Sequence, residues 1–403
     1  MVTPALLSQY PPPTKVTLLP SKGNLMTLQF TVYQEQLLKM PEHAGSMLRG
    51  AFGVALRSLT CVTGLDQCRL CPLKAHCKFP LIFESHALSR DDMKAVQAVN
   101  PYVIHTPASF EQVTNGEASL YRRPPAYQAG DTWHFGMTLM GQAMGESMLI
   151  IKAWQHALQT GLGSHTPYSK ATLIEVTELD NIAPIDSLKP AVAKSVPTES
   201  NALAESLTED DLLYSLARTL LAQDDDKAVT TQSLAPSEPS AVLDPIINNP
   251  LVSNTEQGQL TLRFLTPFRY QQNNQIIYRP ERLDSVALVA SLYNRIQLCQ
   301  LNHASDTPWQ LGYDNYHDFR ADIASLEVQA DVYANHVPRR SNRQQRKMEL
   351  YGLQGDIHLS GAAQILQRLL PALILGQRLH IGKNTTMGLG QYQLLLNDSL
   401  SIA

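Results

Sequence analysis

Four of the five cysteines, Cys61, Cys68, Cys71 and Cys77, fall within 17 residues at the spacing C-x6-C-x2-C-x5-C. Thiolates ligate zinc tetrahedrally, and the Cys68–Cys71 pair has the span of a zinc knuckle, so a structural zinc is expected here. His76 could replace one ligand. Four thiolates would fill the coordination shell and leave no position for a substrate, so a catalytic metal is not expected. Cys299 falls on an apolar helix face and reads as a core residue.

A second chemistry-bearing stretch runs from 380 to 391, His-Ile-Gly-Lys-Asn-Thr-Thr-Met-Gly-Leu-Gly-Gln. Gly382, Gly388 and Gly390, with Lys383 and Asn384, could let backbone N–H groups and one cation approach a phosphate. The stretch is not a nucleotide P-loop. Five residues separate Gly376 from Gly382 where that motif has four, and Asn384 stands where Ser or Thr would hold magnesium. A structural tight turn is the competing reading. Upstream, Arg339, Arg340, Arg343, Arg346 and Lys347 put five cations into nine residues, preceded by His336. That composition suits a phosphate backbone.

Residues this far apart need a scaffold, and the flanks of the chain echo each other. Met26, Leu28, Phe30 and Val32 alternate with polar neighbours over 25–33, as do Leu260, Leu262 and Phe264 over 260–265. Both read as half-buried strands, sharing Thr-Leu-x-Phe. An amphipathic helix follows each. The first covers about 46–59, with Leu48, Phe52, Leu56 and Leu59 on one face. The second covers about 284–300, capped by Asp284 or Ser285. Each half ends in Gly-Leu-Gly, at 161–163 and 388–390, followed by an apolar strand. The reading is α+β: two tandem ferredoxin-like (RRM-like) domains, 1–182 with the cysteine insertion and 258–403 with the glycine-rich loop. Sheets of that kind offer a broad face to single-stranded RNA.

Between them, 183–257 is rich in Ser, Ala, Pro, Thr and Asp and reads as an acidic, low-complexity linker. Leu212, Leu213, Leu216 and Leu220 mark a short helix at 209–221 within it. Asp186–Asp244 holds 11 acidic and 4 basic residues, a net of −7, against −4 for the whole chain. The remainder therefore carries −4 − (−7) = +3. The net negative charge, which alone would argue against nucleic acid, hides a mildly basic folded part. A remainder of only +3 predicts a local RNA grip with a shallow salt dependence. No apolar window is long enough for a membrane helix, and the first 15 residues lack a secretion signal. An odd number of clustered cysteines fits a reducing cytoplasm better than a disulfide framework.

Together these features resemble the CRISPR-associated endoribonucleases that process precursor crRNA, within the repeat-associated mysterious protein (RAMP) superfamily. The likeness rests on Thr261–Tyr270, Ser341–Gly355, His380–Tyr392, and on Gly45–Leu56 followed by the four cysteines. It implies tandem ferredoxin-like domains that bind a CRISPR repeat and cut it without metal. The ribose 2′-hydroxyl would attack the adjacent phosphate, leaving a 2′,3′-cyclic phosphate and a 5′-hydroxyl. The family often places a catalytic His in or after the first helix, but here Cys61–Gly64 follow it. The candidates are then His43, just before the helix, and His336, with Tyr33 as a helper, Lys347 and Arg49 as phosphate stabilisers, and His380 beside the glycine loop. Implied partners are repeat RNA and other CRISPR effector or adaptation proteins, because similar modules occur fused to reverse transcriptase and integrase domains. The alternative is a non-catalytic RAMP-type subunit that binds crRNA within an effector complex.

Overall fold

The computed structural model describes residues 13–18, 23–88, 98–110, 126–163, 168–179, 257–306, 308–341 and 346–396; the side chains of 338–348 and Leu396 lie outside the description. The acidic stretch and its helix at 209–221 fall outside it too, except for Gln257.

In the N-terminal half, alternation along β2 (Leu25–Gln34) buries Met26, Leu28, Phe30 and Val32. They pack beneath α1 (Gly45–Thr60) and α4 (Ser147–Thr160). Leu48, Phe52, Leu56 and Leu59 form the buried stripe of α1, as their spacing predicts. Phe30 stacks on Phe135 at 4.8 Å, and Trp154 lies 4.6 Å from Phe135 and 5.0 Å from Phe52. Each such pair contributes about 1 kcal/mol beyond its buried area. The other main strands are β4 (Tyr102–His105), β6 (Thr132–Met140) and β7 (Ala171–Leu179). They lie in the order β7-β2-β6-β4, with β1 (Lys15–Thr17) parallel to β7 at the edge. Small elements complete this half: β3 (Leu38–Lys39) pairs with β5 (Ala126–Tyr127), and the helices α2 (Lys78–Ile82) and α3 (Gln142–Gly145) are single turns.

The C-terminal half repeats the pattern. β8 (Gln257–Phe264) leads through a small hairpin, β9 (Tyr270–Gln272) and β10 (Gln275–Ile277), into α5 (Ser285–His303). The Asp284 carboxylate accepts the Ala287 N–H at 2.9 Å, the N-cap its sequence position predicts. α6 (Tyr316–Ala324) precedes two long strands, β11 (Glu327–Ser341) and β12 (Arg346–Ala362), then α7 (Ala363–Leu379) and β13 (Tyr392–Leu396). The sheet order is β11-β12-β8-β13. Counting main strands within each half, both sheets read 4-1-3-2 from one edge, the split β-α-β arrangement.

One departure matters for function. β12 pairs with β8 only over Asp356–Ala362, whereas it pairs with β11 along its whole length. The part from Val332–Ser341 and Arg346–Gly355 therefore runs beyond β8 as a two-stranded arm, tied at its root by an antiparallel bridge between Phe268 and Leu353. The sequence read this stretch as a basic segment. It did not show the arm.

The two halves share a buried seam. His380 Nε2 meets His105 Nδ1 at 3.0 Å, and His105 Nε2 meets the Thr138 hydroxyl at 2.8 Å. Arg378 Nε donates to Thr27 Oγ1 at 3.0 Å, Ser109 Oγ donates to Gln391 Oε1 at 2.6 Å, and His303 Nε2 donates to the Val99 carbonyl at 2.7 Å. His105 and His380 are fully buried. With no solvent to pair with, these polar groups must pair across the seam. His380 also caps α7 in a left-handed conformation, φ 57°. Cys299 is fully buried in the C-terminal core, as its place on the helix predicts.

Candidate functional site

The glycine-rich loop follows α7 and has two unlike ends. At one end the chain turns left-handed at Gly382 and Asn384 (φ 84° and 64°) and leaves Lys383 exposed. The Lys383 N–H donates to the Arg269 carbonyl at 2.9 Å, and the Arg269 guanidinium bonds the Asn384 side chain. At the other end Gly388 and Gly390 are buried. Their N–H groups donate to Thr385 and Pro267 carbonyls at 2.9 and 3.0 Å. A Cβ at Gly388 would lie 2.8 Å from the Thr106 methyl. Of the residues proposed from sequence to cradle phosphate, Gly388 packs against Thr106 and Ile104 of the other half, Gly390 packs against Ile381 of its own half, and Lys383 is exposed between Gly382 and Asn384.

This seating brings distant segments together. Gly45, the first residue of α1, lies so close to the loop that a Cβ there would sit 1.7 Å from the Met387 carbonyl. Met387 and Leu389 pack against Val337 and Leu350, the root of the arm. His43 stands two residues before Gly45. Its side chain is 9% exposed, and its Nε2 has no hydrogen-bond partner, with Glu42 no nearer than 3.9 Å. Burial lowers the His43 pKa from its usual range; Glu42 opposes this and the nearby His336 adds to it. His43 and His336 are 293 positions apart in sequence, and the loop that packs on Gly45 also packs on Val337, the residue after His336. An imidazole that is neutral near pH 7, oriented at a helix N-terminus and unpartnered, can accept a proton.

His336 is exposed on the arm, its ring 6.3 Å from that of Tyr351, its partner across the strands. The basic residues lie further out. Arg339 pairs with Met348, Arg340 with Lys347, and Ser341 with Arg346. Arg340 is three steps along the strand from Val337, about 10 Å at ~3.3 Å per residue. Arg343 lies outside the described residues.

Two further candidates are placed elsewhere. The Arg49 guanidinium lies 4.2 Å over the Phe83 ring, near Tyr102, whose pKa burial pushes up to about 12 with Arg49 opposing. That position engages Arg49 with the aromatic core of its own half. Tyr33 is 43% exposed and pairs with Thr132 and Thr172. The loop meets the sheet near His105, which is level with Gly136 and Gln29. Tyr33 is four residues along β2 from that level, about 13 Å away.

The cysteines share one loop but do not converge. Cys61 and Cys71 lie 3.9 and 3.5 Å from the Thr63 hydroxyl, while Cys68 turns into the hydrophobic core at 8% exposure. Burial pushes the Cys68 pKa up to about 11 and raises that of Cys77. Zinc binding needs thiolates. Among the described residues no three His, Cys, Asp or Glu side chains are placed to hold a metal. The spacing suggests a knuckle, but the burial of Cys68 points one of the four inward, so the zinc expectation gains no support.

Residues 262–392 match the family model of the CRISPR-associated endoribonuclease Cas6, and 20–198 match a model described as an N-terminal domain. The resemblance drawn from the strand, basic segment and glycine loop is to this family. No curated protein matches the sequence. Among solved structures, Thermus thermophilus Cas6 is similar at 13% identity and a TM-score of 0.42, covering 93% of this chain and all of that one. A Cas6 product complex is similar at 13% identity and 0.44, over 92% of this chain and 100% of that one. The partial Cas6-RT-Cas1–Cas2 complex is similar at 14% identity and 0.47, over 94% of this chain, which spans 47% of that one. No described helix is long and apolar enough to cross a membrane.

Proposed function

We propose, from the premise that residues 262–392 form a Cas6-family domain, that this chain binds CRISPR repeat RNA and cleaves precursor crRNA without a catalytic metal. The observation that supports this reading is that the glycine loop packs both on Gly45, two residues after His43, and on the root of the arm that carries His336. Neutral, desolvated His43 takes the proton of the ribose 2′-hydroxyl. The 2′-oxygen then bonds to phosphorus as the bond to the 5′-oxygen breaks. The leaving oxygen takes a proton from His336, giving a 2′,3′-cyclic phosphate and a 5′-hydroxyl. Lys383 and the arm residues Arg339, Arg340, Arg346 and Lys347 supply positive charge to the RNA backbone, with Arg343 assigned the same role on composition alone. Adaptation or effector proteins of the CRISPR system are the proposed protein partners, and the cytoplasm the proposed location.

The packing of the Arg49 guanidinium on Phe83, and the place of Tyr33 four residues along β2 from the level of the loop, favour a second reading, a non-catalytic RAMP-type subunit that binds crRNA. Incubation with labelled repeat RNA in EDTA separates the two. A single cut, abolished by a 2′-deoxy ribose at the cut position and lost in His43→Ala, supports the nuclease. Tight binding without a cut favours the subunit.

A further inference from the structure

Beside His336 the arm presents an aromatic surface that the cleavage chemistry does not use. Tyr351 is 48% exposed and Tyr278, just after β10, is 45% exposed. Their ring centroids are 5.7 Å apart, and the Arg279 guanidinium lies 5.8 Å from the Tyr278 ring. Half-exposed tyrosines are common on strands, where they fit a pleated surface. This pair differs in being drawn from two elements and held in place. The Tyr351 hydroxyl donates to Glu349 at 2.5 Å, and its carbonyl accepts Arg269 Nε at 3.0 Å. Arg269 also bonds Asn384 of the glycine loop, so the platform is tied to the site. His336, Tyr351 and Tyr278 thus follow one another at ring separations of 6.3 and 5.7 Å.

We propose that Tyr351 and Tyr278 form a stacking platform for an unpaired nucleobase of the RNA, one or two nucleotides from the scissile phosphate. This rests on the RNA-cleaving reading above and adds to it how the strand is registered. Aromatic faces accept any base, and a rigid ring loses little entropy on contact. Exposed Arg279 and Arg282 flank the platform and suit the strand's phosphates. Glu349 engages the Tyr351 hydroxyl at the ring edge, which leaves the ring face for the base. Arg279 beside the Tyr278 ring gives the platform a cation for a phosphate, with Glu281 exposed between Arg279 and Arg282.

The experiment uses the full chain with repeat RNAs carrying one abasic site, or one 2-aminopurine, at each position flanking the cut. Tyr351→Ala should weaken binding roughly 5- to 150-fold, the span of one base–aromatic stack. Tyr351→Phe should restore it, because the ring and not the hydroxyl stacks. One abasic position should cost the wild type the same factor and cost Tyr351→Ala nothing more. At that position 2-aminopurine fluorescence should be quenched by the wild type and by Tyr351→Phe, not by Tyr351→Ala. If Tyr351→Ala binds as the wild type does, or if every abasic loss is equal in both proteins, the platform is wrong while the cleavage reading stands. If the wild type binds no repeat RNA, both fall. A variant that keeps RNA binding but loses a protein partner assigns the surface to protein instead and overturns the proposal.

Discussion

Acidification from pH 7 to pH 5 should loosen the seam between the two halves, and the size of the effect follows from three buried histidines. Burial and Arg378 lower the His105 pKa to about 3. Burial lowers that of His303 to about 4, with the Val99 carbonyl opposing and Arg295 assisting. Burial, His105 and Arg295 hold His380 well below its ordinary value. In the unfolded chain each histidine titrates near 6.5. Between the folded and unfolded values the unfolded chain binds more protons, so stability must fall as pH drops through 6.5. At pH 5 each unfolded histidine gains about 2 kcal/mol from protonation, a gain the folded seam cannot match. The three together give at most about 6 kcal/mol, comparable to the whole stability of many domains. Most carboxylates titrate below this window, so the interval reports mainly on histidine. Guanidinium unfolding at pH 7, 6 and 5, followed by tryptophan fluorescence, should show the midpoint falling steadily. His105→Gln, which can keep a hydrogen bond to Thr138 but carries no titrating ring, should remove about a third of the pH dependence. Stability that is unchanged or higher at pH 5 would refute the reasoning.

Other outcomes follow from the same geometry. His43→Ala should reduce cleavage by ~10²–10⁴-fold in single-turnover assays. The acid limb of the wild-type pH–rate profile should lie below 6.5, because the His43 pKa is lowered in the folded protein. Gly45→Ala places a methyl group on the Met387 carbonyl. It should cost about 1–3 kcal/mol in unfolding experiments and reduce cleavage, because the loop must move off α1. Removing the charges of Arg339 and Arg340 should reduce the slope of log affinity against log salt by about 2, if each meets one phosphate. EDTA should leave the cleavage rate unchanged.

Local patterns were the legible part of the fold. Alternation identified β2 and β8, the 3.6-residue period placed α1 to within a residue at each end, and Asp284 announced its helix. Each signal lives within one element and depends only on which face is buried. The seam left no such mark. His105, His303 and His380 are isolated in sequence, and only tertiary contact makes them a set. The glycine loop was visible as a loop, but the split between its open and buried ends is decided by Thr106 and Gly45, both in the other half. His43 and His336 could be proposed singly from sequence, whereas the arm that carries His336 depends on a register that composition does not encode. The contact of Arg49 with Phe83 was likewise invisible in the sequence, because the two meet only through the fold.

The seam has a consequence for how the chain can be divided. Its contacts are direct side-chain and backbone meetings between the halves: His105 with His380, Ser109 with Gln391, Thr27 with Arg378, Gly45 with Met387. None depends on a peptide bond joining β7 to β8. Two fragments separated within 180–256 and expressed as independent polypeptides should therefore find each other and rebuild the junction between the halves. Reassembly could then be read directly, as co-purification of one fragment with the other.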